Sequence, residues 1–430
     1  MSAANLGALF AELVAHPGDD GARLVWADAI GGERGELVAL QCDLERGGAE
    51  PRTAAARRAR VRELVHLHGR AWSRLEGIAE LVEFRRGFVV AAAADPGKLL
   101  EHHDAILEAA PLLRALTLVQ YGRAGATSYA PDEVDPVTIV ERLIDSPLYA
   151  RLSAVAFGPV GRYVPVRGRM YEWETHAEPV IERALQRGAF DRLSGFGWDE
   201  LTSAAVHLLV AARTFARVER LQLSGRIGVD AWCAALRGAP HLRALDVGRA
   251  ACAPELLAEI PRSVIELRVR GLDAAKLAAL AEAPLAAHVE RLYLADGTLV
   301  DPAPLARFRR LRALECDGIW FGGPEYSQRQ ADAISALSAL ELPALRELHL
   351  GMLSLAAVTK IAHRFGPQLD LLDARDCETH LELPGDVKEL VAGELWHAAW
   401  SAPFPLFDAG VPDGPAWDPP PLAVSATLDE

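Results

Sequence analysis

Cysteine is scarce in this chain and poorly placed for chemistry. Five thiols, Cys42, Cys233, Cys252, Cys316 and Cys377, are scattered over 430 residues with no C-x-x-C pair. That spacing excludes a disulfide framework and a thiolate zinc site, and it fits a reduced, cytoplasmic protein. Long hydrophobic runs are missing too: nothing approaches the roughly 18 apolar residues of a membrane span. The opening MSAANLGALFAELVAHPGDD lacks the basic flank of an export signal. Basic charge is short, with 45 Lys plus Arg against 59 Asp plus Glu, and the net charge of -14 opposes polyanions. Nucleic acid and membrane surfaces are therefore not the expected partners. Catalytic signatures are also absent: there is no G-x-S-x-G, H-E-x-x-H, G-x-x-x-x-G-K-[ST] or strand-to-helix G-x-G-x-x-G, and no cofactor or metal is expected. His102, His103 and Asp104 sit together, but neighbours on a helix face different ways.

What the chain has is one recurring apolar triplet, spaced by two residues and then one. It reads Val218, Leu221, Leu223; Leu242, Leu245, Val247; Val264, Leu267, Val269; and Val289, Leu292, Leu294. Looser copies start at Leu113, Leu152, Leu193, Leu311, Leu345, Leu369 and Val387, making eleven candidate strands. From Val218 to Leu311 the copies start 24, 22, 25 and 22 residues apart, within the range of leucine-rich repeats. Ala- and Leu-rich helical stretches lie between them. Trp232, Ala235 and Leu236 share one helical face, as do Leu277, Leu280 and Ala281, and Pro240 and Pro284 follow.

The expected fold is α/β: a leucine-rich-repeat solenoid, with a parallel sheet on the concave side, helices on the convex side and an α-helical N-terminal head. One strand and one helix cannot cover their shared apolar face alone, but stacked copies can. The triplet residues then point toward the helices, and the residues between them point to the open face. Its middle column reads Thr117, Ala156, Gly197, Gln222, Asp246, Arg268, Tyr293, Glu315, His349, Asp373 and Val391. Solvated polar residues suit any open sheet face, and this mixture also suits recognition.

Three insertions lengthen the repeats near 119–140, 158–180 and 317–332, each after its strand. They carry Tyr121 and Tyr129; Tyr163, Met170, Tyr171 and Trp173; and Trp320, Phe321 and Tyr326. Aromatics beside Arg162, Arg167, Arg169 and Arg329 are the residue types enriched at interface hot spots. The candidate binding residues are Tyr163, Tyr171, Trp173, Trp320, Phe321, Tyr326, Arg268, Tyr293 and His349. The alternative is that these rings pack within the molecule.

Residues 1–80 do not follow the triplet. Leu6, Leu9, Phe10, Leu13 and Val14 form a helical stripe, and Asp19 or Asp20 is placed to cap the next helix. Between residues 46 and 74 stand eight Arg against Glu50 and Glu63, which reads as a solvated helical face. The stretch HPGDDGARLVWADAIGGERGELVALQCDL resembles the N-terminal repeat-companion domain of bacterial leucine-rich-repeat-like proteins. That pattern runs D-x-x-x-R-L-V-Y-A-D-W-L, then E-R-G-(D-P)-R-G-E and a closing L-Q. The later H-G-x-x-W and the F-R-R-G-F element from Phe84 to Phe88 are similar to the same family. Trp26 replaces its Tyr, Ala29 its Trp, and the D-P dipeptide is missing. The resemblance implies a structural head and carries no catalytic residue. Arg23, Asp28, Arg34 and Glu36 are expected to form an ion-pair network, and Phe84 to Phe88 to start the sheet.

The chain thus divides into a head at 1–80, repeats at 81–400 and a Pro- and Trp-containing cap and tail at 401–430. The expected function is noncatalytic: a protein-protein interaction module or scaffold that takes a protein or peptide on its concave face and aromatic rim. The alternatives are an enzyme whose site is assembled near the insertions, or a structural subunit of a larger complex.

Overall fold

The computed structural model describes residues 3–47, 51–119, 136–158, 161–166, 169–175, 177–249, 253–321, 328–350, 353, 355–375 and 390–393. These form two compact units, one from residues 3–119 and 145–152, the other from 136–144 and 153–393. The expected C-terminal cap at 401–430 lies outside the described residues.

The first unit begins with four helices, α1 (Ala3–Ala15), α2 (Asp20–Ile30), α3 (Gly32–Arg46) and α4 (Pro51–Ser73). Asp19 caps α2, accepting from the backbone N–H groups of Gly21 and Ala22 at 2.8 and 3.2 Å. The apolar stripe of α1 packs on Trp26, Ala27, Val38, Cys42, Phe88 and Leu112. Next come β1 (Ala79–Arg85), β2 (Phe88–Ala94), α5 (Pro96–Glu101), α6 (His103–Ala109) and β3 (Ala115–Leu118). β1 and β2 form an antiparallel hairpin, and β3 runs parallel to β2. The F-R-R-G-F element is the turn of that hairpin, with Phe84 and Phe88 buried.

The conformation of the turn explains its residues. Arg86 and Gly87 have φ of 50° and 82°, and a Cβ on Gly87 would lie 2.1 Å from Val38 Cγ2. Only glycine fits there. From α3, Gln41 Nε2 donates to the Phe84 carbonyl at 2.8 Å, and the Gly87 N–H donates to Gln41 Oε1 at 2.6 Å. Glu45 pairs with both Arg85 and Arg86.

The second unit holds α7 (Pro136–Ile144), β4 (Ala154–Phe157), β5 (Gly161–Val166), β6 (Arg169–Thr175), α8 (Ala177–Gln186), β7 (Gly195–Thr202), α9 (Ser203–Ala211) and β8 (Arg220–Arg226). It continues through α10 (Val229–Arg237), β9 (Ala244–Asp246), α11 (Pro254–Glu259), β10 (Glu266–Arg270), α12 (Ala274–Glu282), β11 (Arg291–Leu299) and β12 (Ala313–Phe321). α13 (Gln328–Ser338), β13 (Glu347–Leu350), α14 (Leu355–Phe365), β14 (Leu371–Arg375) and β15 (Leu390–Gly393) close it. Apart from the antiparallel β5-β6 hairpin, its strands form one parallel sheet ordered β4-β7-β8-β9-β10-β11-β12-β13-β14-β15. The fold is thus α/β with a mostly parallel sheet. All eleven triplets become strands, counting β3 of the first unit.

Successive residues of a strand face opposite sides. Leu221, Leu223, Leu245, Leu267, Val269, Leu292 and Leu294 are buried on one side, together with Trp232, Leu236, Leu277 and Leu280 of the helices. Burial of each such side chain contributes about 1.5–3 kcal/mol. At the β4-β7 end, bulkier residues fill the same layer: Phe157 stacks on Trp198 at 4.3 Å, and Phe190 meets Phe196 edge-on at 5.3 Å.

Candidate recognition face

The other side of the second unit's sheet carries the variable residues. Their register is unbroken: Ala156 pairs with Gly197, Gly197 with Gln222, and Gln222 with Asp246. Asp246 then pairs with Arg268, Arg268 with Tyr293, and Tyr293 with Glu315. Glu315 pairs with His349, His349 with Asp373, and Asp373 with Val391. Each strand contributes one residue to a single row, with neighbours about 4.8 Å apart.

The row is not uniformly solvated, which corrects the expectation of an open polar face. Tyr293, Glu315 and His349 are partly exposed, whereas Gln222 is 5% exposed, Asp246 0% and Arg268 4%. Arg268 lies with its guanidinium carbon 3.8 Å from the centre of the Tyr293 ring, a cation–π arrangement. Its Nε is 3.8 Å from Asp246 Oδ2, and Arg270 Nη2 approaches the same oxygen at 3.6 Å. The other oxygen, Oδ1, accepts from the Gly248 N–H at 2.7 Å. Burial pushes the Asp246 carboxyl above its ordinary range against the pull of Arg268 and Arg270. Burial also raises Asp199 on β7. Gln222 Oε1 and Asp246 Oδ2 are shielded from solvent with no hydrogen-bond donor. Leaving such an acceptor unpaired costs about 1–3 kcal/mol.

No family model matches the chain, and no curated protein matches it. Among solved structures, a chain in the crystal structure of the Rad7 and Elc1 complex in yeast aligns over 70% of this chain and 74% of that one. The identity is 14% and the TM-score 0.41, a likeness too distant to bear on function.

The other candidate residues fall into separate places. Tyr163 and Trp173 are register partners across the β5-β6 hairpin, and Tyr171 stands two positions before Trp173. Trp320 and Phe321 end β12, registered with Thr298 and Leu299. β4, which the hairpin follows, and β12 are six strands apart in the sheet order, roughly 29 Å. Tyr326 lies outside the described residues, as does most of the first insertion, including Tyr121 and Tyr129.

The four polar residues of the head do not form one network. Arg23 is buried, donates to the Pro17 carbonyl and lies over Phe88. Arg34 lies over Trp26, Glu36 takes a two-pronged contact from Arg60 at 2.9 Å, and Asp28 is exposed. The reason is helical spacing, which sends neighbouring charges to different faces. The Arg-rich helix is largely matched by acids: Arg57 faces Asp43, Arg60 faces Glu36 and Glu63, and Arg70 faces Glu76. His103 contacts Asp104 at 3.3 Å and the Leu100 carbonyl at 3.0 Å, both local groups. Among the described residues no His, Cys, Asp or Glu group of three could hold a metal ion, and no helix is long and apolar enough to cross a membrane.

Sequence reasoning placed Asp246 and Gln222 in the row but missed their burial, and it missed Asp199 altogether. A usable signal was present: Asp246 lies inside LDV, and two arginines flank Val269 in the next repeat's LRVR. An acid and two bases on adjacent strands mark a cross-strand pair.

Proposed function

We propose that the chain is a noncatalytic protein-recognition module: a leucine-rich-repeat solenoid with its strands on the concave side, headed by a repeat-companion domain, that binds a protein or peptide in the bacterial cytoplasm. The supporting observation is the register of the row. Where side chains are described, each repeat keeps its apolar triplet buried and contributes one residue to a common line. Specificity can then vary at the partly exposed Tyr293, Glu315 and His349 without altering the core, whereas Gln222, Asp246 and Arg268 are buried within the row. An extended line of mixed polar, charged and aromatic residues, with further aromatic residues after β4 and at the end of β12, suits a long polypeptide surface better than a small molecule, which needs a concave pocket.

The rim component of this reading is tested by replacing Tyr171, Trp173, Trp320 and Phe321 with Ala. Partners captured from native lysate are then compared by mass spectrometry. Loss of an enriched protein with folding intact is expected, and an unchanged set would remove the insertions from the interface.

A further inference from the structure

The connections leading into β7 to β14 carry a charge opposite to that of the whole chain. Counted from the end of the preceding α-helix, and before β12 from its short 3₁₀ turn (Ala303–Arg307), they hold eleven arginines, no lysine and five acids. The acids are Asp191, Glu219, Glu290, Glu341 and Asp370, whereas the chain as a whole has a net charge of -14. The backbone stacks these connections as it stacks the strands. Each of Arg243, Ile265, Glu290, Arg312 and Arg346 donates its N–H to the carbonyl of its counterpart one repeat earlier, at 2.7–2.9 Å. In four connections the residue before the triplet is the exposed corner of the same tight turn: Arg192, Arg217, His241 and Arg310. The next N–H donates to the carbonyl three residues back, that of Phe190, Phe215, Ala239 or Phe308. Repetition thus brings basic and His side chains to the margin of the sheet where the strands begin. We propose that this margin, centred on Arg307, Arg309 and Arg310, is a second interaction surface that takes an extended acidic segment of a partner protein.

The charge is densest before β12, where Arg307, Arg309, Arg310 and Arg312 are all exposed. Arg312 faces Glu290 at 3.9 Å, while Arg307, Arg309 and Arg310 have no ion pair among the described residues. Each of these three guanidinium groups can take a carboxylate through two parallel N–H donors. The same forks would hold phosphate, but nucleic acid and membrane ask for more than forks. The rings of these connections, Phe190, Phe215 and Phe308, are buried, so bases have no surface to stack on. No large apolar side chain of the connections is exposed to enter a lipid interface. A duplex or an anionic bilayer also extends past the margin and meets the negative remainder of the chain. A short acidic segment touches the margin alone, and screening over about 8 Å at physiological salt confines the repulsion. The surface is built from residues outside the row through Tyr293, Glu315 and His349, so the two can be tested apart.

Fluorescence anisotropy of a labelled peptide of about ten glutamates, titrated with the full chain at about 0.15 M salt, tests the proposal. Two double variants change the net charge equally. One is Arg309→Glu with Arg310→Glu on the margin; the other is Arg226→Glu with Arg249→Glu at the opposite ends of β8 and β9, where both arginines are also exposed. Circular dichroism checks the folding of each, and Arg309→Gln with Arg310→Gln replaces the margin variant should charge reversal unfold it. The expected result is binding at least about tenfold weaker in the margin variant, or about threefold in its Gln form, and less than about twofold weaker in the other. No binding of the peptide by the native chain, or an equal loss in both double variants, overturns the proposal. So does tighter binding of an oligothymidylate of the same length or of phosphatidylserine vesicles, which would assign the arginines to phosphate rather than to carboxylate.

Discussion

Gln41 shows how one side chain can hold a turn in place. Its amide carbonyl and NH2 group bond to the two ends of the Phe84–Gly87 turn, which is held at left-handed angles that cost free energy. Gln41→Ala removes both bonds and is expected to destabilise the first unit by about 1–3 kcal/mol in chemical denaturation. Gly87→Ala acts at the same place by sterics, and a loss of about 2 kcal/mol or more is expected from the contact with Val38 and the strained φ. The closing L-Q and the F-R-R-G-F element were visible in the sequence as separate motifs. That they bond to each other was not, because 43 residues separate Gln41 from Phe84. Asp246 was hidden for a similar reason: its burial depends on strands one repeat away on either side, and no local pattern records that.

At the scale of the element, the strands were the most legible part. β8, β9, β10, β11, β12 and β13 each begin two residues after the first apolar residue of their triplet, as with Val218 and Arg220 or Leu242 and Ala244. The triplet has that power because its last two members alternate onto the helix side, a period only a strand satisfies. The β5-β6 hairpin was read only as an insertion. Pro165 interrupts β5, and the cross-strand partners Tyr163 and Trp173 do not follow the triplet pattern of the repeats. The helix-side layer supports its own prediction. Trp198 is fully buried among Phe157, Phe190 and Phe196. Trp198→Ala is expected to cost about 3–5 kcal/mol, read by urea denaturation, whereas alanine at the exposed Leu67 is expected to change stability by less than about 0.5 kcal/mol.

For the whole molecule, the proposed function assigns stability to one set of repeat positions and recognition to another. The triplets build the layer between sheet and helices, and the partly exposed middle positions lie outside it. Tyr293, Glu315 and His349 follow one another in register and are partly exposed, so they can be altered without opening the core. The account is tested most directly by affinity capture from native lysate with the intact chain and with a Tyr293→Ala, Glu315→Arg, His349→Ala variant, each checked for folding by circular dichroism and thermal melting. The prediction is a protein enriched by the native chain and depleted at least tenfold with the variant, a loss of about 1.4 kcal/mol or more in binding. An identical set of captured proteins from a folded variant would contradict it.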